Sequence, residues 1–301
     1  MATDIWTVQA ALNWCQGYLE RHDDPNPRLS AQWLLAHATG LSRIEVYTNF
    51  DKPLSLEERD ILRDAVRRRG AGEPLQYIQS QAPFRYLMVK VRPGVLIPRP
   101  ETEVLVEEAL AFVDECAGQR GEGSFVDVVD CCTGSGCIAC SIATERLNVR
   151  VTATDISPVA VEVARENVEA CEASREEDAP SVADRMRVLE CDLLSALDDE
   201  SADVIVSNPP YIPTAVMAEL PQEVAAHEPE LALEGGEDGL DIYRRMLPEM
   251  QRVLRPGGAF ALELHETCLG AAAQLAEEAG FRAVRVVKDL VGRPRILTAR
   301  R

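Results

Sequence analysis

The chain has little positive charge. Thirty-one lysines and arginines stand against 50 acidic residues among 301, a formal charge of −19, and a field of that sign repels nucleic-acid phosphate and anionic lipid. Neither direct DNA binding nor membrane association is expected. No apolar run reaches about 18 residues, which excludes a helical membrane span, and no charged-then-apolar leader opens the chain, so the cytoplasm is the expected compartment. Histidine is scarce, four residues in all, and His22, His37 and His227 share no spacing that suits a metal. No internal repeat is present.

Nine cysteines are an odd number for so long a chain and read as reduced thiols, not as a disulfide frame. Cys131, Cys132, Cys137 and Cys140 lie close enough to raise the question of zinc, with C-x-x-C spacing between the last two. The same segment, "CIACSIA", reads as the apolar start of a helix in which cysteine is a small core residue, and no metal is assigned. What the chain does have is a core: 46% hydrophobic and 27% charged residues are the balance of a soluble globular protein. At this length two domains are expected.

Residues 1–73 carry apolar positions at helical spacing, in "AQWLLAHATG" ending on Gly40 and in "SLEERDILRDAVRRRG" ending on Gly70, where Ser55 and Glu58 form a capping box. They predict a small helical domain. The basic run "RRRG", Arg67 to Gly70, reads as a solvated helix end. Over 74–100 the pattern changes to short extended pieces with alternation at Leu87, Val89 and Val91 and a turn at Pro93-Gly94, which predicts a β-hairpin linker. Residues 101–301 begin with a helix, pass a polar break at Gly118 to Ser124, and then alternate strand and helix, ending in two extended runs. That order predicts an α/β fold: a doubly wound, mostly parallel sheet with a terminal antiparallel hairpin. The acidic stretch Glu172 to Asp184 reads as a solvated loop.

Two strand ends carry chemistry. After "FVDVVD" comes "DCCTGSGCIA", Asp130 to Ala139, in which Gly134 and Gly136 permit a tight turn and close approach of an adenosyl ligand. The next strand, "VTATD", ends on Asp155, an acceptor for ribose hydroxyls. NAD and S-adenosyl-L-methionine would both use these elements. In "ECDLLSAL", Asp192 could accept from an exocyclic amine and Leu193 could cover a ring face. The fourth strand ends in "SNPPY", and ligands of open α/β sheets bind at that edge. Asn208 Oδ1 and the Pro209 carbonyl are acceptors at angles restricted by proline, suited to holding the N–H groups of a planar amide or amine. Tyr211 offers a ring to stack on it and a π face to a cation. A dehydrogenase would need a placed acid or base that the sequence does not offer, so methyl transfer to a planar nitrogen is the chemistry read here.

With "NPPY" in place, further segments resemble one family, the peptide-chain release factor N5-glutamine methyltransferases. They are "SRIEVYTNFDKPL", "GEPLQYI", "VLIPRPETEVLVEEAL", "CTGSGCIA", "SNPPYIP", "EVAAHEPELALEGGEDGLDIYRRM" and "KDLVGRPRIL", and they span nearly the whole chain. The resemblance implies a Rossmann-like class I methyltransferase domain over 101–301 and a helical domain over 1–73 that recognises the release factor. It also implies methylation of the glutamine in a Gly-Gly-Gln loop. Cofactor residues would be Cys132, Thr133, Gly134, Ser135, Gly136, Asp155, Asp192, Leu193 and Asn208. The glutamine would lie on Asn208, Pro209, Pro210 and Tyr211, with Phe84, Arg99 and Glu101 nearby, and Arg99 could instead pair with Glu101 or Glu103. Three positions depart from the usual glycine: Cys132, Ser80 and His265. The spelling around Cys132 also resembles a sister family acting on a ribosomal protein; "NPPY" is shared with adenine-N6 DNA methyltransferases, and a non-catalytic adenosylmethionine-binding module is a third alternative.

Overall fold

Two serines set the helices of the N-terminal part. Ser42 and Ser55 each accept the backbone N–H of the residue three positions on, while Glu45 and Glu58 reach back to the serine N–H, closing two capping boxes. The computed structural model describes residues 6–121 and 123–301; the first five residues and one position of the polar break at 118–124 lie outside it. The residues up to Gln81, with Pro221–His227, form one compact unit, and Ala82–Leu220 with Glu228–Arg301 form another.

The first unit is helical: α1 (Val8–Glu20), α2 (Pro27–Thr39), α3 (Arg43–Thr48), α4 (Leu56–Gly70) and α5 (Leu75–Gln79). Pro27 opens α2 and Gly40, at φ +68°, closes it. Leu19, Leu34, Leu35, Leu62 and Val66 meet in its core. The expected solvated end of α4 is different at Arg69, which is 7% exposed. Its guanidinium bonds Asp24 Oδ2 at 2.6 Å and Glu223 Oε1 at 2.9 Å. The α4 helix turns that one arginine inward, where two acids replace its water; removing one partner of such a buried pair costs about 3–5 kcal/mol.

The expected hairpin over 74–100 is narrower in the structure. Leu75–Gln79 is a helix because Ile78 and Leu75, three apart, pack on the helical core. Only β1 (Gln81–Phe84) and β2 (Leu87–Lys90) pair, around a turn at Arg85 with φ +50°; the expected turn at Pro93-Gly94 is present, with Val95 N donating to the Arg92 carbonyl at 3.2 Å, but no strands pair across it. Then come α6 (Thr102–Arg120), β3 (Val126–Cys131), α7 (Cys137–Glu145), β4 (Val149–Asp155), α8 (Pro158–Ser174), β5 (Met186–Glu190) and β6 (Ala202–Ser207). After these run α9 (Thr214–Met217), α10 (Gln222–His227, of the first unit), α11 (Asp241–Val253), β7 (Leu254–Glu263), α12 (Leu269–Glu278), β8 (Arg282–Lys288) and β9 (Pro294–Arg300). The helix α6 runs through Gly118, so the polar break begins later than expected.

The sheet order is β5-β4-β3-β6-β7-β9-β8, parallel through β7 and antiparallel at β9 and β8. Every residue of β6 is buried, as a β-branched strand between neighbours requires. From β3 the chain moves outward to β4 and β5, then returns to β6 on the other side of β3. The reversal opens a crevice at the carboxyl ends of β3 and β6, where "DCCTGSG" and "NPPY" leave the sheet. The acidic loop after α8 is tied, not free: Glu172 accepts Val182 N at 2.7 Å, Ala183 N at 3.1 Å and Arg175 Nε at 2.6 Å. Arg175 and these backbone donors hold its carboxyl down to about 2.

Candidate active site

The turn from β3 to α7 takes three positive φ angles, Cys132 (+59°), Gly134 (+56°) and Gly136 (+78°). The usual glycine at position 132 is thus a conformational preference, which cysteine meets at a cost of about 1–2 kcal/mol. The two glycines serve different ends. A Cβ on Gly136 would lie 3.1 Å from Ala164 Cβ and 3.2 Å from its Cα, so this glycine lets α7 approach α8. A Cβ on Gly134 would meet nothing nearer than Val95 Cγ1 at 3.9 Å and would stand in the crevice. Asp155, at the tip of β4, accepts Gly134 N and Ser157 N, both at 2.9 Å. Burial raises its pKa, and those backbone donors oppose the rise. Its carboxylate therefore fixes the glycine turn and keeps lone pairs for a ligand.

A cavity of about 350 Å³ lies here, the size of a small-molecule site. Cys132, Thr133, Gly134 and Ser135 form one side, Asp155 another, and Asp192 and Leu193 a third. Gly136, expected among them, is not in the wall. Asp192 carries an ion pair to Arg245 Nη2 at 2.5 Å, and Leu193 adopts φ +50° while packing into the core beneath. Asn208, Pro210 and Arg99 line the same cavity. Pro209, Tyr211, Phe84 and Glu101 do not: Phe84 is buried in β1, and Glu101 is exposed at the start of α6.

Arg99 pairs with neither Glu101 nor Glu103 but with the carboxylate of Glu228, whose other oxygen accepts Ile97 N at 3.2 Å. The extended "IPRP" points the arginine away from its neighbours in sequence, and "HEPE" brings the buried acid to it. Tyr211 meets a further carboxylate directly, and Asn208 is linked to it through Thr102. Tyr211 Oη donates to Glu263 Oε1 at 2.8 Å, Thr102 Oγ1 donates to Glu263 Oε2 at 2.7 Å, and Asn208 Nδ2 donates to Thr102 Oγ1 at 3.2 Å. Glu263, at the end of β7, is 1% exposed.

The N-terminal part matches the family model "PrmC N-terminal domain" over residues 10–79, and residues 120–237 match "Methyltransferase small domain". A protein of Rhodopirellula baltica named release factor glutamine methyltransferase is 40% identical over 295 residues, covering 97% of this chain and 96% of its own. Proteins of the same name from Geobacter sulfurreducens and Moorella thermoacetica are 42% and 41% identical, over 89% and 98% of this chain and 88% and 99% of theirs. The chain belongs to the release factor glutamine methyltransferase family. Its fold is also that of the hMettl16 catalytic domain, solved in complex with MAT2A 3'UTR hairpin 6. That structure has a TM-score of 0.52 at 15% identity and covers 81% of this chain and 80% of the other.

This member of the glutamine methyltransferases departs from the family's usual glycines in two more places. Ser80 closes α5 at φ +57°, so a glycine there relieves strain. His265 has no positive φ; it is half-buried, bonds Thr267 Oγ1 at 2.8 Å through Nδ1, and its pKa is lowered, chiefly by burial. Four residues of the site escaped sequence reasoning: Thr102, Glu228, Glu263 and Ile156, the last lining the cavity with 51% of its surface exposed. An acid ending the apolar run "FALE" was a signal for Glu263, and the position after a strand-ending aspartate was one for Ile156. Among the described residues no group of three or more His, Cys, Asp or Glu could hold a metal, and no helix is long and apolar enough to cross a membrane.

Proposed function

We propose that the protein transfers a methyl group from S-adenosyl-L-methionine to the side-chain N5 of the glutamine in the Gly-Gly-Gln loop of peptide-chain release factors, in the cytoplasm. The observation that carries this reading is that Asn208 of "NPPY" opens on the same cavity as the Gly134 turn and Asp155, in a chain with full-length relatives named for this activity. The cavity fits the cofactor by its open face at Gly134, where any side chain would intrude, and by the free lone pairs of Asp155 beside it. Cys132 to Ser135 and Asp155 would hold it, with Asp192, Leu193 and Ile156 around its base. When bound, it supplies an electrophilic methyl on a sulfonium.

The chain's own part is orientation. An amide nitrogen is a poor nucleophile because its lone pair is delocalised into the carbonyl. Asn208 Oδ1, on the cavity wall, accepts an N–H of the amide and holds the nitrogen with its lone pair directed across the cavity, and it favours the positive charge that grows there. Pro209 and Pro210 restrict the backbone that presents this acceptor. The nitrogen loses one proton to water after the N–C bond forms, so no strong base is required. Arg99, neutralised by Glu228, gives the rim a rigid edge and little net charge. The helical residues 1–73 are the part that grips the release factor.

The test is methyl transfer to a purified release factor, read by peptide mass spectrometry, with a loop glutamine-to-alanine substrate and an Asn208→Ala enzyme as controls. One added methylene on the glutamine, abolished in the substrate control and reduced about 10²–10³-fold in the enzyme control, is expected. Labelling of a ribosomal protein or duplex DNA with the release factor untouched would overturn the substrate assignment.

A further inference from the structure

The carboxylate of Glu263 grips both ends of "NPPY". It takes the Tyr211 hydroxyl on one oxygen and the Thr102 hydroxyl on the other, and Thr102 in turn meets the Asn208 amide. Resting on the function proposed above, we infer that Glu263, acting through Thr102, decides which end of the Asn208 amide faces the cavity, and so is a positioning residue for the transfer.

The argument is one of proton direction. Burial raises the Glu263 pKa, but the Thr102 and Tyr211 hydroxyls, one on each oxygen, oppose the rise by bonding the charged form, and a carboxylate held in this way has no proton to give, so each hydroxyl donates. Thr102 has a single hydroxyl proton, and donating it to Glu263 leaves only lone pairs toward Asn208. Only the NH₂ end of the Asn208 amide can pair with a lone pair. Its oxygen is therefore turned away from Thr102 and is left without a partner among the described residues, on a side chain that lines the cavity. An acceptor is thus presented where N–H groups must be held. Reversing the first proton reverses the series: a donor at 263 would turn the Thr102 proton toward Asn208, pair it with the amide oxygen, and present NH₂ to the substrate's own N–H groups. Neither Thr102 nor Glu263 is exposed enough for water to take over, since both are buried.

The glutamine variant tests this because its side chain carries one acceptor and one donor end. With the donor on Thr102 the Asn208 amide flips; with the donor on Tyr211 that phenol loses its acceptor. Both arrangements harm the site without changing its volume. Thr102→Val removes the relay at nearly constant shape, and Thr102→Ser keeps it. Kinetics with release factor and S-adenosyl-L-methionine should show Glu263→Gln and Thr102→Val losing about tenfold or more, the range of other supporting-shell losses. The loss should fall on kcat more than on KM, with melting temperatures near wild type, and Thr102→Ser should restore the rate. The ¹⁵N side-chain amide resonance of Asn208 should move in the first two variants and not in Thr102→Ser. Wild-type kcat in Thr102→Val, or an Asn208 resonance indifferent to both changes, overturns the inference. A wild-type enzyme inactive on release factors, with the resonance still following Thr102 and Glu263, would sink the substrate assignment and leave the orientation standing.

Discussion

Asp130, the penultimate residue of β3, has no exposure to water. Its Oδ2 accepts Thr133 Oγ1 at 2.5 Å and Ala139 N at 3.1 Å, and its Oδ1 has no hydrogen-bond partner. Burial raises the carboxyl from 3.8 to about 7; the two donors pull it down and the charge of Asp155 adds to the rise. The folded state therefore binds the proton more tightly than the unfolded chain, and stability falls as pH rises through this range. The contribution is fully present below about pH 4 and lost above about pH 7. Each pKa unit is worth about 1.4 kcal/mol, so ionising Asp130 withdraws ~4 kcal/mol. Asp130→Asn places a neutral amide of the same shape there. Urea unfolding of both proteins between pH 4 and 8 measures the effect, and the difference between the two curves cancels the other carboxylates. The variant should gain on wild type steadily across the window, by a few kcal/mol in total. Parallel curves would refute the reasoning, and would mean that Asp130 keeps its charge or its proton in both states.

Three further substitutions separate shape from conformation at the glycines. Gly136→Ala meets Ala164 as well as a positive φ, and should cost about 2–4 kcal/mol in chemical denaturation. Gly134→Ala meets only the φ cost, about 1–2 kcal/mol, yet places a methyl in the cavity; calorimetry should find S-adenosyl-L-methionine bound about tenfold more weakly. Ser80→Gly removes a side chain from a left-handed helix end where it is exposed, and should stabilise by about 1 kcal/mol in urea.

Much of the molecule is written locally. Ser55 with Glu58 announces a helix start, the apolar runs at 126–131 and 202–207 announce buried parallel strands, and alternation with helices announces the doubly wound sheet. The glycine turn, Asp155 and "NPPY" are legible for the same reason: each sits within a few residues of the strand end that presents it. Even the unusual Ser80 and Cys132 could be singled out, although only the backbone angles explain why glycine is usual there. What the tertiary structure alone decided is which distant side chains meet. Arg99 finds Glu228 across 129 residues, Arg69 finds Glu223 across 154, and Thr102 reaches Glu263 across 161 and Asn208 across 106. Hydrophobic period and turn chemistry fix a residue's neighbours within its own element. The partner of a buried charge is chosen by how the elements pack, because only packing removes the water that would otherwise serve it.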